Sequence, residues 1–429
     1  MTRGWRRMVP GPVKRMVNRY RTGNAGSGRS GGNSSQAARD LRKARQRIAV
    51  LKERTRSDGD RWARQLKDLV PRQSQPLDDL AYYPAGNWNA YMRLLYARAP
   101  EFGFAPRPLD RIERVDDLPP TSVLHLHWTR SAQVGAETVA EARAKTESFI
   151  EPIERFVARG GVLVWTIHEE LPHDCRFPEV EVELRRRLAG LAHGIHVLHQ
   201  STEEAVAGLY PLDPAKVFAI EHPLYTGAYE DFVGRDAARA LLDLPDDAVM
   251  LLGFGAIRHY KGFDRLVGLL PRLRGETGQD VRVMIAGRTL ATDDNSGLRR
   301  LVSSTAGASM TEDGPPEAAV SILFRAADVV VLPYREFLNS GVLLLGLSFG
   351  VPVIVPRTAV SADFERSGLV RLFEATDDED LARALREAVG HRVAVPRQVS
   401  AEVLERHDPH RIAGRFAEQA REIVTLARR

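Results

Sequence analysis

The stretch that decides the fold reads LLGFGAIRHYKG at 251–262, an apolar run that leads into glycines, the cations Arg258 and Lys261, and then a helix. Such a junction gathers free backbone N–H groups at a helix N-terminus, where diphosphate oxygens bind well. An arginine can hold two of these oxygens with its forked guanidinium, and a lysine adds a point charge. An ordinary strand-to-helix turn with solvated cations explains the spacing alone equally well.

A second segment favours the anion-binding interpretation. The chain reads ADVVVLPYR at 327–335, then Asn339-Ser340-Gly341 at the start of an apolar helix, and then GVPVI at 350–354. Asn339 or Ser340 suits the N-cap of that helix, which would leave the first-turn amides pointing at a cleft. Gly341 would let a phosphate or sugar approach the backbone, or would serve close packing only.

Outward from these motifs, short β-branched runs alternate with helical segments from about Leu80 onward. This alternation is typical of parallel sheets with helices on both faces. The predicted strands form two series: 123–127, 162–166, 194–198 and 217–220, then 249–254, 281–286, 329–332 and 352–355. The pattern lapses around Tyr225–Asp236, so we expect an α/β protein with domains at 76–230 and 231–405. A last helix is predicted at His410–Ala427.

The amino-terminal arm, residues 1–75, differs in composition from the rest. Residues 1–72 hold 20 Lys and Arg against 5 Asp and Glu, although the whole chain carries a formal charge of only +5. A glycine-rich linker at 22–35 precedes a basic amphipathic segment at 36–69, so the arm is predicted to be helical or disordered. The arm could bind an anionic membrane surface or be a solvated tail. Binding to nucleic acid is disfavoured, because no recognised nucleic-acid motif accompanies the charge.

Features that would place the protein in or across a membrane are missing from the sequence. No stretch approaches the roughly twenty apolar residues of a membrane-spanning helix, and residues 1–20 lack the apolar centre of a secretory signal. The single cysteine, Cys175, supplies neither a disulfide nor a Cys-rich metal site. We therefore expect a cytoplasmic protein, with peripheral docking at the inner face of the membrane left open.

Histidines follow two strands of the first series. The segment WTIHEELPHD at 165–174 places His168 and His173 after a strand end, where either could bind a sugar hydroxyl or act as a base with a near-neutral pKa. It is not the metal motif H-E-x-x-H, because the second histidine comes too late and Pro172 interrupts any helix. In LHLHW at 124–128, His127 and Trp128 are assigned to the cleft, whereas His125 is predicted to be structural.

Together these motifs resemble a known family. The order of G-x-I-R-x-Y-K-G at 255–262, ADVVVLPY at 327–334, NSGVLLL at 339–345 and GVPVI at 350–354 is similar to the donor domain of family 4-type, GT-B-fold glycosyltransferases. LHLHW, WTIHEELPHD and HPLY at 222–225 resemble the acceptor domain of bacterial members that act on polysaccharides. The resemblance runs from about residue 80 to the end.

The resemblance implies two facing Rossmann-like domains, with a nucleoside-diphosphate sugar held by the second and a carbohydrate or lipid-linked acceptor held by the first. It also implies that a terminal segment, 406–429, packs back on the first domain. Catalytic roles fall to His168, His173, Arg258 and Lys261, and the acceptor side to His127, Trp128 and His168. The implied donor-binding residues are Gly255, Arg258, Lys261, Gly287, Tyr334, Asn339, Ser340, Gly341 and Val342. The family further implies retention of configuration, envelope or exopolysaccharide assembly, no cofactor, and no required metal, because the cations take the leaving-group charge.

The sequence departs from the family at the nucleotide ribose. Many relatives carry two glutamates with seven residues between them, but this chain has Phe337 and Leu345 there, with Glu336 one place off the first. The arginine that commonly follows the first glycine of the motif is replaced by Ala256, which leaves Arg258 as the substitute. Two alternatives follow: a nucleotide-sugar epimerase, or a non-catalytic relative that binds nucleotide or partner proteins.

Overall fold

A front sheet begins the part of the chain that the structure describes. The computed structural model describes residues 77–85, 90–172, 175–289, 294–390 and 398–429. Six parallel strands form this sheet: β1 (Asp78–Tyr83), β2 (Phe104–Pro108), β3 (Val123–Leu126), β4 (Val162–Ile167), β5 (Gly194–Val197) and β6 (Val217–Ala219). Their order is β2-β1-β3-β4-β5-β6. Every residue of β3, β4 and β5 is buried, as expected for central strands covered by helices on both faces.

Helices of the front sheet begin where the sequence supplies caps. They are α1 (Ala90–Leu95), α2 (Val139–Ala158), α3 (Pro178–Leu191) and α4 (Thr202–Val206). The Thr138 hydroxyl accepts from the Glu141 amide at 3.2 Å and so caps α2. Pro178 starts α3, at a position where a helix does not need the missing N–H. Short 3-10 turns occupy Ala99–Phe102, Ile112–Asp117, Arg130–Ala132 and Pro214–Lys216.

The rear sheet has the same architecture. Its six parallel strands are β7 (Val249–Phe254), β8 (Val281–Ala286), β9 (Ala308–Thr311), β10 (Val329–Val331), β11 (Val353–Pro356) and β12 (Val370–Phe373). Their order is β12-β11-β10-β7-β8-β9. The chain builds outward from β7 in one direction and from β10 in the other, so the carboxyl ends of β7 and β10 flank the switch point. Ligands of open parallel sheets bind at such a point.

Further helices cover the rear sheet and return to the front one. The helices that accompany the rear sheet are α5 (Arg235–Leu241), α6 (Phe263–Thr277), α7 (Ser296–Ser304), α8 (Glu317–Ala326), α9 (Gly341–Ser348), α10 (Ala359–Ala362) and α11 (Asp378–Gly390). Two 3-10 turns, His259–Lys261 and Glu365–Ser367, interrupt this series, and α12 (Ala401–Arg406) and α13 (Pro409–Ala427) end the chain.

The last helix, α13, packs on the front sheet. Its buried Ile412 and Phe416 join one apolar cluster with Leu80 and Tyr91 of the front lobe. Arg421 ties it down further by donating to the carbonyls of Phe102 and Gly103, each at 2.9 Å. We call the front sheet with α1–α4 and α13 the front lobe, and the rear sheet with α5–α11 the rear lobe. Across the described residues, no helix is both long and apolar enough to cross a membrane.

The fold agrees with the predicted class, two Rossmann-like parallel sheets of α/β type. All eight predicted strands are present, but four others were missed: β1, β2, β9 and β12. Three of these, β2, β9 and β12, lie at sheet edges. The edge position explains why β2 tolerates Pro106 and Pro108, since an edge strand needs fewer ladder hydrogen bonds. The basic arm, residues 1–75, lies outside the described residues.

Candidate active site

Lys261 is a buried cation at the carboxyl end of β7. It is only 7% exposed, and Gly262 follows it with a left-handed φ of 63° that turns the chain into α6. The Lys261 ammonium donates to the Tyr334 hydroxyl at 2.8 Å and lies 4.6 Å from the centre of that ring. Burial lowers its pKa, and no carboxylate of the described residues pairs with it. Because an ammonium has three N–H donors, two are left for an anionic ligand.

Arg258 places a second positive charge beside this lysine. Its side chain is partly exposed. Burial is the main cause that lowers the pKa of Lys261, and the charge of Arg258 lowers it further. The same charge lowers the pKa of Tyr260, which burial raises overall. Neighbouring positive charges attract an anion, so this corner of the rear lobe suits a diphosphate.

Glycines bring the strand ends of the rear sheet close together. A Cβ on Gly255 would lie 3.0 Å from the Lys261 Nζ and 3.7 Å from Val342 Cγ2. A Cβ on Gly287, at the end of the neighbouring β8, would collide with the Gly255 carbonyl oxygen. The structure thus brings Gly255, Gly287, Lys261 and Val342 to one corner, where the sequence predicted donor contacts.

The loop Asn339–Gly341 joins this corner to the front lobe. The Asn339 amide donates to the His168 carbonyl at 3.1 Å. A Cβ on Gly341 would lie 2.5 Å from the Tyr225 hydroxyl and 3.4 Å from His222 Nε2. Ser340 occupies the N-cap of α9, but its side chain makes no capping hydrogen bond; it engages the Tyr334 hydroxyl instead. The predicted N-cap position is therefore confirmed at Ser340, without a side-chain capping hydrogen bond.

His168 faces the Asn339–Gly341 loop from the carboxyl end of β4. Its partly exposed ring stacks on Trp128, with centroids 4.2 Å apart, and lies 2.9 Å from His127, nitrogen to nitrogen. Burial is the main cause that holds its pKa well below the ordinary value, followed by the charges of His127 and other neighbours. The sequence predicted a near-neutral pKa, and the structure corrects this: the imidazole is neutral at physiological pH.

The other predicted front-lobe residues have different positions. His127 is 2% exposed, and both of its ring nitrogens bind inside the lobe, to Tyr96 and His168. It therefore lies behind His168, not at the cleft surface as predicted. His125 is fully buried, in agreement with its structural assignment. His173 lies outside the described residues.

A buried ion pair supports the loop that carries His168. Arg185 and Glu181 of α3 pair at 2.9 Å in the interior. Arg185 also donates to the Glu169 carbonyl at 2.7 Å, and the Tyr210 hydroxyl donates to the Glu170 carbonyl at 2.9 Å. Sequence analysis missed this pair. The available signal was a pair of opposite charges four residues apart, beside the apolar positions of α3.

The ribose positions lack an acid, as the sequence indicated. Leu345 is buried within α9, and the Phe337 ring lies 6.2 Å from the Tyr334 ring. Neither side chain can accept hydrogen bonds from ribose hydroxyls. Among the described residues, no group of three or more His, Cys, Asp or Glu could hold a metal ion.

The chain is similar to known glycosyltransferases. The family model described as "Glycosyl transferases group 1" matches residues 248–391, the part of the chain that contains the rear sheet. A GDP-mannose:glycolipid 4-beta-D-mannosyltransferase of Xanthomonas campestris is 28% identical over 337 residues, which cover 76% of this chain and 86% of that protein. A D-inositol 3-phosphate glycosyltransferase of Kineococcus radiotolerans is 31% identical over 37% of this chain and 40% of its own length.

Solved structures share the arrangement of both sheets. Anabaena HepE in complex with UDP and glucose covers 80% of this chain and 99% of its own, with a TM-score of 0.59 and 13% identity. Sucrose-phosphate synthase from Thermosynechococcus elongatus covers 82% of this chain and 100% of its own, with a TM-score of 0.61 and 13% identity. The fold and these matches define the chain as a GT-B-fold glycosyltransferase.

Proposed function

We propose that this enzyme transfers a sugar from a nucleoside-diphosphate sugar to a lipid-linked glycan during envelope or exopolysaccharide assembly. The observation that carries the donor half is the buried Lys261, whose ammonium has one neutral hydroxyl as its partner. Arg258 and Lys261 would bind the diphosphate and stabilise the charge that grows on it as the glycosidic bond breaks. Stabilisation of this kind is commonly the largest single catalytic contribution.

The donor we propose to test first is GDP-mannose. The Xanthomonas relatives named for this donor are those whose similarity extends over both lobes, covering 76% of the chain. The missing acids at Phe337 and Leu345 mean that ribose must be recognised through backbone groups or other side chains. A panel of GDP, UDP, ADP and dTDP, titrated calorimetrically, identifies the base; saturable binding of one supports an enzyme, and binding of none supports the non-catalytic alternative.

The acceptor we propose is a lipid-linked saccharide, because the Xanthomonas relatives are named for a glycolipid acceptor. His168 and Trp128 would line its binding side: an aromatic ring packs against a sugar face and a neutral imidazole binds a hydroxyl. The test is transfer of radiolabelled mannose from GDP-mannose to a lipid-linked oligosaccharide extract. Product that stays in the organic phase supports this acceptor, whereas label released only as free mannose counts against it.

The stereochemical outcome distinguishes two mechanisms. Retention, which the family resemblance implies, needs no base from the protein. Inversion is the second candidate, favoured by the neutral His168 and by the beta linkage in the name of the Xanthomonas relatives. Inversion needs a proton acceptor for the attacking hydroxyl, and an imidazole can fill that role. The anomeric coupling constants of the purified product decide between the two.

We also propose that the basic arm, residues 1–72, holds the enzyme at the inner face of the cytoplasmic membrane. Each basic residue near an anionic surface adds about 1 kcal/mol of attraction. The full chain should sediment with phosphatidylglycerol vesicles at low salt but not with phosphatidylcholine vesicles.

We propose further that transfer needs no metal. Transfer should therefore continue in EDTA. Activity that is lost in EDTA and restored only by Mg²⁺ or Mn²⁺ would contradict metal independence.

A further inference from the structure

A continuous chain of hydrogen bonds runs beneath the front half of the site. Outward from the Ile220 carbonyl, its members are His196, Thr166, His125, Tyr96, His127 and His168. The successive donor–acceptor distances are 2.9, 2.9, 2.6, 2.7, 2.7 and 2.9 Å. All these side chains except that of His168 are buried. Nothing in the proposed reaction accounts for so many linked polar groups below the cleft.

The direction of the inner bonds follows from the carbonyl at the inner end. A carbonyl oxygen can only accept, so His196 donates to it from Nε2. A neutral imidazole has one N–H, so the Nδ1 of His196 accepts from the Thr166 hydroxyl. That hydroxyl has no second proton, and its oxygen therefore accepts from the Nε2 of His125.

The directions of the outer bonds follow from those of the inner ones. With its proton on Nε2, His125 accepts at Nδ1 from the Tyr96 hydroxyl. The Tyr96 oxygen then accepts from the Nε2 of His127. His127 accepts at Nδ1 from the Nε2 of His168, which leaves the Nδ1 of His168 without a proton. One backbone carbonyl thus determines the tautomer of a ring at the cleft.

These bond directions hold only while the rings and the phenol are neutral, and burial keeps both neutral. Burial lowers the pKa of His196 to about 4 and holds those of His125 and His127 well below the ordinary value. It also raises the pKa of Tyr96 well above that of a free phenol. No member of the chain changes its charge near neutral pH.

We infer that the Ile220 carbonyl, acting through this chain, fixes His168 as a hydrogen-bond acceptor toward a sugar hydroxyl in the cleft. Thr166, His125 and Tyr96 are positioning residues for that ring. This inference deepens the proposed function and rests on it. A ring that presented N–H to the cleft could bind the oxygen of the same hydroxyl, but it could not accept its proton. The chain therefore excludes the wrong tautomer.

Nitrogen NMR of the full chain tests the tautomer without any turnover. In ¹⁵N-histidine-labelled protein, with His168 assigned by comparison with His168→Gln, the proton should lie on Nε2. Tyr96→Phe removes the group that links His125 to His127, so a population with the proton on Nδ1 of His168 should appear. The kcat for transfer should fall roughly tenfold, with KM for the nucleotide sugar unchanged. Tyr82→Phe is the matched control, because Tyr82 stacks on Tyr96 at 4.7 Å and takes no part in the chain.

A second pair of variants guards against a folding defect. Thr166→Val keeps the shape of the side chain but removes its hydroxyl, and it should disturb the His168 tautomer, whereas Thr166→Ser should restore it. A wild-type His168 that carries its proton on Nδ1, or a tautomer unchanged in both Tyr96→Phe and Thr166→Val, overturns the inference. The predicted tautomer in a protein without transfer activity supports the chain and contradicts the proposed function, so the two failures are distinguishable.

Discussion

The two halves of the site are built on six-stranded parallel sheets that differ in strand order, and they offer the ligand opposite chemistry. The rear half offers Lys261 and Arg258, two positive groups beside glycines at the ends of β7 and β8. The front half offers His168, a neutral ring backed by buried hydrogen bonds. The rear half is suited to an anion and the front half to uncharged hydroxyls.

This difference shows how a duplicated architecture can divide one reaction. A leaving diphosphate needs fixed positive charge, and burial strengthens the field of a cation because little water screens it. A sugar hydroxyl needs a directed acceptor, and a neutral imidazole supplies one only if its tautomer is fixed. Substitutions in either half, or at the contact between them, can therefore test this division.

The largest expected effect comes from removing the rear-lobe charge. Lys261→Ala should lower kcat/KM for transfer by about 10²- to 10³-fold, as loss of one donor to a developing anion commonly does. Arg272→Ala is the matched control, since Arg272 lies on α6 and pairs with Glu379 on the surface. Steady-state kinetics with both variants make the comparison. A fall of less than about threefold for Lys261→Ala would show that the charge of this lysine contributes little to transfer.

The backbone that positions this lysine should be the next most sensitive feature. Gly262 and Gly278 both have a φ of 63°, but only at Gly262 would a Cβ collide with the Pro333 carbonyl oxygen. Gly278→Ala should cost about 1–2 kcal/mol of unfolding free energy from left-handed backbone alone. Gly262→Ala should cost at least about 2 kcal/mol more, because overpacking adds to the strain. Urea unfolding measures both, and equal costs would show that the close approach is absent in solution.

Acid should weaken the front half through its neutral histidines. Burial lowers the pKa of His196 and His222 from 6.5 to about 4, so the unfolded chain binds more protons between these values. Stability therefore falls as pH drops below about 6.5, by up to about 2 kcal/mol per histidine at pH 5. Replacing His222 by Gln should flatten this dependence of the melting temperature, whereas Val134→Ala, at an exposed residue that does not titrate, should leave it unchanged. Identical slopes in all three proteins would contradict the assignment.

The smallest effect should come from one hydrogen bond between the two lobes, that of Asn339 with the His168 carbonyl. Asn339→Ala removes the donor to the His168 carbonyl, a neutral hydrogen bond worth about 0.5–1.5 kcal/mol, and should reduce kcat/KM roughly three- to tenfold. Asn339→Asp should be worse, because a carboxylate cannot donate and would face a carbonyl oxygen. If Asp is tolerated better than Ala, the contact between the lobes does not persist in solution.

The sequence predicted the rear half better than the front half. Glycines and cations at the end of a strand form a pattern within a few consecutive residues. The segment at 251–262 was therefore sufficient to predict that Lys261 lies near the end of a strand. The missed strands β2, β9 and β12 are short edge strands, where packing on one side only weakens the pattern. The strand β1 was missed because its first residues, Asp78 and Asp79, are unusual in strands.

The histidine chain could not be predicted, because its members come from distant segments. Tyr96 follows α1, His125 lies on β3 and Thr166 on β4, and only the order of strands in the sheet brings them together. From the sequence, His127 was wrongly assigned to the cleft, because alternation along a strand does not show which side chains other residues bury. A network of this kind is a property of tertiary structure.

The most direct test of the central claim is a crystal structure with a nucleoside diphosphate bound. We predict diphosphate oxygens within hydrogen-bonding distance of the Lys261 ammonium and the Arg258 guanidinium, beside Gly255 and the start of α9. A diphosphate that binds elsewhere, with both cations turned toward bulk solvent, would contradict the account.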